Sequence, residues 1–269
     1  MITKTYYLKD YYPKLKYNPY IEITMLDEII GKDFSRCAII VPGGGYDVVS
    51  KREGDPICLE FLRRGYKSVK LVYSVDPINH KINYPNQVLE LMAAFDFLLE
   101  HKEELKISGD IVLCGFSAGG HLVGTYSYLY KNKALMDELG ITRNLKPKAV
   151  VLAYPVVTMV GATHQDTKDV ITGKNHNLDQ LLSIELNVDS TYPKTFLWAT
   201  KEDELVPISN TILLDEALTK HGVTHKTIIY GHGCHGLALA NKLTTPLGRS
   251  EEKAVANWIN EALDYLDEV

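Results

Sequence analysis

Residues Ile111–Tyr130 read IVLCGFSAGGHLVGTYSYLY. The first part is a run of strand formers, the last part a helical pattern, and Gly115-Phe116-Ser117-Ala118-Gly119 stands at the junction. A strand-to-helix turn this tight needs small residues, because a side chain at either glycine crowds the sheet or the incoming helix. Either the glycines serve packing alone, or the turn exists to hold the Ser117 hydroxyl where a substrate meets it.

Upstream of this junction, RCAIIVPGGG makes a buried strand over residues 36–41, stopped by Pro42 and three glycines. Ser50 followed by Glu53 has the spacing of a capping box, and PICLEFLRRG continues as a helix ending near Gly65. SVKLVYS, residues 68–74, predicts the next strand. PNQVLELMAAFDFLLEH predicts a helix from Pro85, with apolar residues at 88, 91, 92, 95, 98 and 99.

Downstream, the helix after Ser117 runs from Ala118 to about Tyr128, and strands are expected at 149–155, 194–200 and 225–231. VPISNTILLDEALTKHG is helical, with Pro207 suited to its start and Gly222 to its stop. Near the carboxyl end, Ser250 is placed to cap a helix with Glu251 and Glu252 at its positive end. Its apolar stripe is Val255, Trp258, Ile259, Ala262 and Leu266.

Strands alternating with helices imply an α/β fold: one domain over residues 1–269, with a mostly parallel sheet flanked by helices. In such sheets reactive groups lie beyond the carboxyl ends of the strands. Residues 157–190 interrupt the rhythm with polar, weakly helical sequence, either a small cap over a pocket or a plain surface excursion. No internal repeat or low-complexity tract is found.

The chain has 269 residues, of which 45% are hydrophobic and 23% charged, an ordinary globular composition. Its net charge of -5, from 34 acidic and 29 basic residues without a block of one sign, gives no positive footprint for nucleic acid. No run approaches the roughly 18 apolar residues of a membrane span. The amino terminus lacks the uninterrupted apolar core of a signal peptide, so a cytoplasmic protein is expected unless an export signal has been removed. Cys37, Cys58, Cys114 and Cys234 are too scattered for a local metal or redox motif and are expected to be unpaired. No metal or other cofactor is implied.

With this context the serine turn has the setting of a nucleophile elbow. A serine hydroxyl attacks effectively only when a base takes its proton. His235, in YGHGCHGLALA after the last predicted strand, is the favoured base, with His232 its nearest competitor. The base needs an acid to hold its tautomer. WATKEDELVP offers Glu202, Asp203 and Glu204 beyond another strand; Asp203 is preferred, the glutamates forming a solvated rim. Pro42-Gly43-Gly44-Gly45-Tyr46 can expose backbone N–H groups of Gly44 and Gly45 which, with that of Ala118, stabilise a tetrahedral oxyanion. Tyr46 either lines the leaving-group pocket or supports this loop.

At these residues the chain resembles the α/β-hydrolase superfamily, and more narrowly its small esterase/lipase branch with acetyl esterases and acetylxylan esterases. The resemblance is carried by VPGGGY at 41–46, GFSAGGHL at 115–122, AYPVV at 153–157, DELVP at 203–207 and CHGLALA at 234–240. It covers nearly the whole chain from about residue 35, with amino-terminal strands before it. It implies Ser117 as nucleophile, Asp203 as acid, His235 as base, and oxyanion donors from Gly44, Gly45 and Ala118. Two departures stand out: Pro42 replaces the histidine common before the glycines, and Cys234 replaces the proline common before the final histidine.

The activity implied is release of short acyl groups, acetyl above all, from small or carbohydrate esters such as acetylated xylooligosaccharides, through an acyl-serine. An amidase or small peptidase using the same triad is the enzymatic alternative, and a binding module that keeps the fold is the non-enzymatic one. No nucleic-acid or membrane partner is expected, and the oligomeric state is open.

Overall fold

The computed structural model describes residues 1–27 and 33–269. Its strands are β1 (Ile2–Tyr7), β2 (Tyr20–Met25), β3 (Cys37–Val41), β4 (Lys67–Val72), β5 (Ile111–Phe116), β6 (Ala149–Ala153), β7 (Lys194–Thr200) and β8 (His225–Tyr230). They form one sheet in the order β1-β2-β4-β3-β5-β6-β7-β8. β1 and β2 pair antiparallel, as do β2 and β4, while every pairing from β4 to β8 is parallel. The helices are α1 (Asp55–Arg63), α2 (Asn86–Glu100), α3 (Lys102–Leu105), α4 (Ala118–Leu129), α5 (Lys133–Leu139), α6 (Gln165–Thr172), α7 (Ser209–Lys220) and α8 (Trp258–Glu268).

The central strands are apolar at every position because both faces of the sheet are covered. In β3, Cys37, Ile39 and Val41 join one apolar cluster with residues of α2, α4 and α7, whereas Ala38 and Ile40 join a second cluster with α1 and α8. The same alternation separates Ile111 and Leu113 of β5 from Val112, Cys114 and Phe116. Each large side chain buried this way contributes roughly 1.5–3 kcal/mol. All four cysteines are free, three of them inside these clusters.

Two expectations about helix starts are corrected. Ser50 caps nothing with its side chain; α1 begins later, at Asp55, behind a 3-10 turn over Lys51–Glu53. Glu53 has turned inward and is only 3% exposed, so it cannot reach back to the Ser50 amide as a capping box requires. The last helix starts at Trp258, not after Ser250. A series of turns through 252–257 brings the Trp258 indole N–H onto the Ala238 carbonyl at 2.7 Å, a buried bond that outweighs an exposed cap. Among the described residues no helix is long and apolar enough to cross a membrane.

Candidate active site

Ser117 lies between β5 and α4 with φ 51° and ψ -118°, a conformation that side chains rarely adopt. Its amide donates to the Ala153 carbonyl at 3.0 Å, and its carbonyl accepts from the amides of His121 at 2.9 Å and Val156 at 3.3 Å. The flanking glycines are sterically required: a Cβ on Gly119 would lie 2.2 Å from the Val41 carbonyl oxygen, and one on Gly115 2.4 Å from that of Gly119. Small residues therefore let the helix start hard against β3 and leave the serine at the sheet's carboxyl edge.

The loops after β7 and β8 meet it there. His235 Nε2 is 2.8 Å from Ser117 Oγ, and His235 Nδ1 is 2.7 Å from Asp203 Oδ2. The Asp203 side chain is 1% exposed, and its other oxygen accepts from the amides of Leu205 at 3.0 Å and Val206 at 2.8 Å. With Oδ1 committed to two N–H groups, Oδ2 is aimed at the imidazole, which fixes Nδ1 as donor and Nε2 as acceptor.

The competitors lie elsewhere. His232 is 83% exposed in its side chain and pairs with Glu202 at 2.9 Å. Glu204 is exposed, yet its Oε2 accepts the backbone N–H of His235 at 3.1 Å, so it braces the loop as well as rimming it.

In the glycine loop, the Gly43 amide donates to Glu53 Oε2 at 2.9 Å and is thereby used up. Gly44, at φ 122°, accepts through its carbonyl from Asp47 and Val48; a Cβ there would lie 2.2 Å from the Val48 carbonyl oxygen. Gly44 and Gly45 line the same cavity as Ser117 and His235. Ala118 opens α4, where first-turn amides have no acceptor within the helix. Tyr46 is fully buried; its hydroxyl donates to His121 Nδ1 at 2.8 Å, and its ring packs edge-on against Tyr73. Of the two readings of Tyr46, this geometry fits support of the loop from beneath. His121 Nε2 in turn donates to the Leu182 carbonyl at 2.8 Å, and burial pushes the imidazole down to about 4.

A cavity of about 650 Å³ opens above the serine. Segment 157–190 supplies part of its wall through His164, Asp166 and Thr167 at the start of α6. Arg52 and Arg249 also line it, tied to the histidine loop and the turn after it: Arg52 donates to the carbonyls of Gly236 and Thr244, Arg249 to the Cys234 sulfur. A second open trough of about 730 Å³ shares Asp47 and Asp166 with the first and continues past Asn79, His80 and Asn83.

Sequence reasoning missed Glu53, Tyr154, Arg52 and His121. His121 lay in view within GGHL, and its place on the helix facing the core is the signal that could have found it. Tyr154 stood within AYPVV without being given a role, whereas Glu53 and Arg52 carry no local signature, because Tyr154, Gly236 and Thr244 lie more than 100 residues further along the chain.

The BD-FAE family model matches residues 28–218, which include Ser117 and Asp203. An endo-1,4-beta-xylanase B of Butyrivibrio fibrisolvens is 32% identical over 214 residues, 76% of this chain; the chain spans only 33% of that relative's length. Among solved structures, an acetyl ester-xyloside bifunctional hydrolase from Caldicellulosiruptor lactoaceticus is 30% identical, with a TM-score of 0.81 over 98% of this chain and 96% of that one. A carboxylesterase from Lactobacillus plantarum is 27% identical, with a TM-score of 0.86 over 100% and 98% of the two chains. With a mostly parallel sheet that gathers serine, aspartate and histidine at its carboxyl edge, the chain belongs to the BD-FAE family, in the esterase/lipase branch of the α/β-hydrolase superfamily.

Proposed function

We propose that the chain is a serine carboxylic-ester hydrolase that removes short acyl groups, acetyl first, from small or carbohydrate esters. The observation that carries this reading is the unbroken relay from Asp203 through His235 to Ser117, at 2.7 and 2.8 Å, facing a solvent-open cavity. His235 Nε2 takes the Ser117 proton as Oγ attacks the ester carbonyl, and Asp203 stabilises the imidazolium that forms. The amides of Ala118 and of Gly44 or Gly45 hold the oxyanion, the Gly43 amide being occupied by Glu53. The imidazolium protonates the departing alcohol, leaving an acylated Ser117. Water, deprotonated by the same imidazole, then releases the acid.

A carbohydrate alcohol is supported by the walls of the cavity and its trough. Asp47 and Asp166, which border both the cavity and the trough, and Asn79 and Asn83, which line the trough, offer the planar carboxylate and amide groups that hydrogen-bond hydroxyls. The C. lactoaceticus relative, described as an acetyl ester-xyloside hydrolase, favours the same class.

The test compares wild type and Ser117→Ala on aryl esters of increasing acyl length, acetylated xylooligosaccharides and matched amides. Acetate release from the oligosaccharides, absent in Ser117→Ala, is expected. Amide turnover that exceeds ester turnover would replace the esterase reading with the amidase one, and activity that survives Ser117→Ala would remove the serine from the mechanism.

A further inference from the structure

Glu53 is a carboxylate on a 3-10 turn, buried to 3% exposure beneath the cavity, and the relay makes no use of it. Burying a charge is costly unless its oxygens find donors. Here each oxygen finds one, and the two donors belong to different loops. Oε2 accepts the Gly43 amide at 2.9 Å, in the loop after β3. Oε1 accepts the Tyr154 hydroxyl at 2.8 Å, from the loop after β6.

The connection continues. The Tyr154 hydroxyl oxygen accepts the Ala238 amide at 3.0 Å, three residues beyond His235, and the Tyr154 ring stands edge-on to the His235 imidazole, centroids 5.1 Å apart. Tyr154 itself is held at φ 37°, a strained backbone conformation for a bulky residue, with its amide on the Trp198 carbonyl. Burial and the neighbouring carboxylate push the phenol well above its ordinary range, so it stays a donor toward Glu53.

Apolar side chains of similar shape at 53 and 154 would spare the molecule this desolvation, and removing both members of a buried polar pair is often close to neutral for stability. What apolar groups cannot do is fix two loops at hydrogen-bond precision. We propose that Glu53 and Tyr154 form a positioning pair that sets the glycine loop and the histidine loop in register with Ser117, so that the oxyanion donors and the base are aligned together. The inference rests on the acyl-serine mechanism proposed above. Neither side chain is a catalytic residue; both act through Gly43, Ala238 and His235.

The pair predicts a loss in the chemical step, not in binding. Glu53→Gln replaces one of the two acceptor oxygens with an NH2 group, so the side chain can no longer accept from both Gly43 and Tyr154, and Tyr154→Phe keeps the ring on His235 but drops the bridge. For each, kcat on an aryl acetate is expected to fall about 10- to 100-fold, as for sub-ångström misplacement of reacting groups. KM should stay within about threefold, since Glu53 and Tyr154 are only 3% and 2% exposed and offer substrate almost no surface. Labelling of Ser117 by a fluorophosphonate, which also forms an oxyanion-like centre, should slow in parallel.

Because the two act as one unit, the double variant should be little worse than Glu53→Gln alone. Wild-type kcat and labelling rate in all three variants, whatever their melting temperatures, would reduce the pair to a structural contact; losses that multiply in the double variant would sever its members. A wild type that neither hydrolyses ester nor takes the label would overturn the acyl-serine reading, and this inference with it.

Discussion

At the scale of single residues, Asp203 carries the sharpest expectation. Its Oδ1 is held by two backbone amides, so an asparagine would keep its oxygen there and turn its NH2 toward His235 Nδ1. Nδ1 would then have to accept, the ring proton would move to Nε2, and the base could no longer take the serine proton. Asp203→Asn should lower kcat by about 10³- to 10⁴-fold with little change in fold, measured on an aryl acetate alongside circular dichroism. That Ser117, Asp203 and His235 meet was legible in the sequence because each sits just past a predictable strand and their order along the chain narrows the choice. Glu53 was misread for a reason that is equally local. Ser-x-x-Glu is the spacing of a capping box, and nothing near residue 53 reveals a tyrosine partner 101 positions away. Tyr46 likewise carries no mark in the sequence that separates a pocket wall from a buried support.

At the scale of elements, the crossing of α4 over β3 and β5 depends on Gly119. Gly119→Ala would drive a methyl group to within 2.2 Å of the Val41 carbonyl oxygen. Backbone on both sides leaves little room to yield, so a loss of about 1–3 kcal/mol is expected from overpacking, read as a lower denaturation midpoint. The start of α6 poses a different question, since segment 157–190 was ambiguous in sequence between cap and excursion. Its polar composition gave no periodicity, and only the tertiary path brings His164, Asp166 and Thr167 over the serine. Asp166 borders both the cavity and the trough. Asp166→Ala should therefore raise KM for acetylated xylooligosaccharides about 3- to 10-fold, the worth of one hydrogen bond, and leave KM for an aryl acetate unchanged. Equal effects on both substrates would detach the trough from saccharide recognition. The late start of α8 has a similar lesson: the amphipathic stripe was correct from Trp258 onward, but the indole bond to Ala238 that fixes the first turn is not a local signal.

At the scale of the whole molecule, two buried groups make stability depend on pH in opposite senses. His121, on α4, is held near 4 by burial against an ordinary 6.5. Its stabilising contribution is complete above about pH 6.5 and disappears as the pH falls toward 4. Glu90, on α2, is pushed up by burial from 4.5 to about 7; Oε2 accepts the Ser74 amide and Oε1 has no partner among the described residues. Its neutral form is favoured, so its contribution is complete below about pH 4.5 and is lost as the pH rises through 7. Each is worth on the order of 3 kcal/mol, so in the wild type the two slopes largely offset one another between pH 4.5 and 6.5. Glu90→Gln removes one of them. Its melting temperature relative to wild type should climb between pH 5 and 7 and level off above that, and a difference that stays flat from pH 5 to 7 would show that Glu90 does not titrate there.

The strand order has a further consequence, for the time course of folding. His235, the proposed base, lies beyond β8, an edge strand that pairs with β7 alone, and it reaches a serine 118 positions earlier in the chain. Contacts that distant close late, because the loop between them must be ordered before they return any stabilisation. A chain whose first seven strands have assembled already carries the strained elbow, yet has not brought the proposed base to it. In refolding from denaturant, recovery of sheet signal should thus precede recovery of hydrolysis, and an intermediate trapped between them should be inert toward esters.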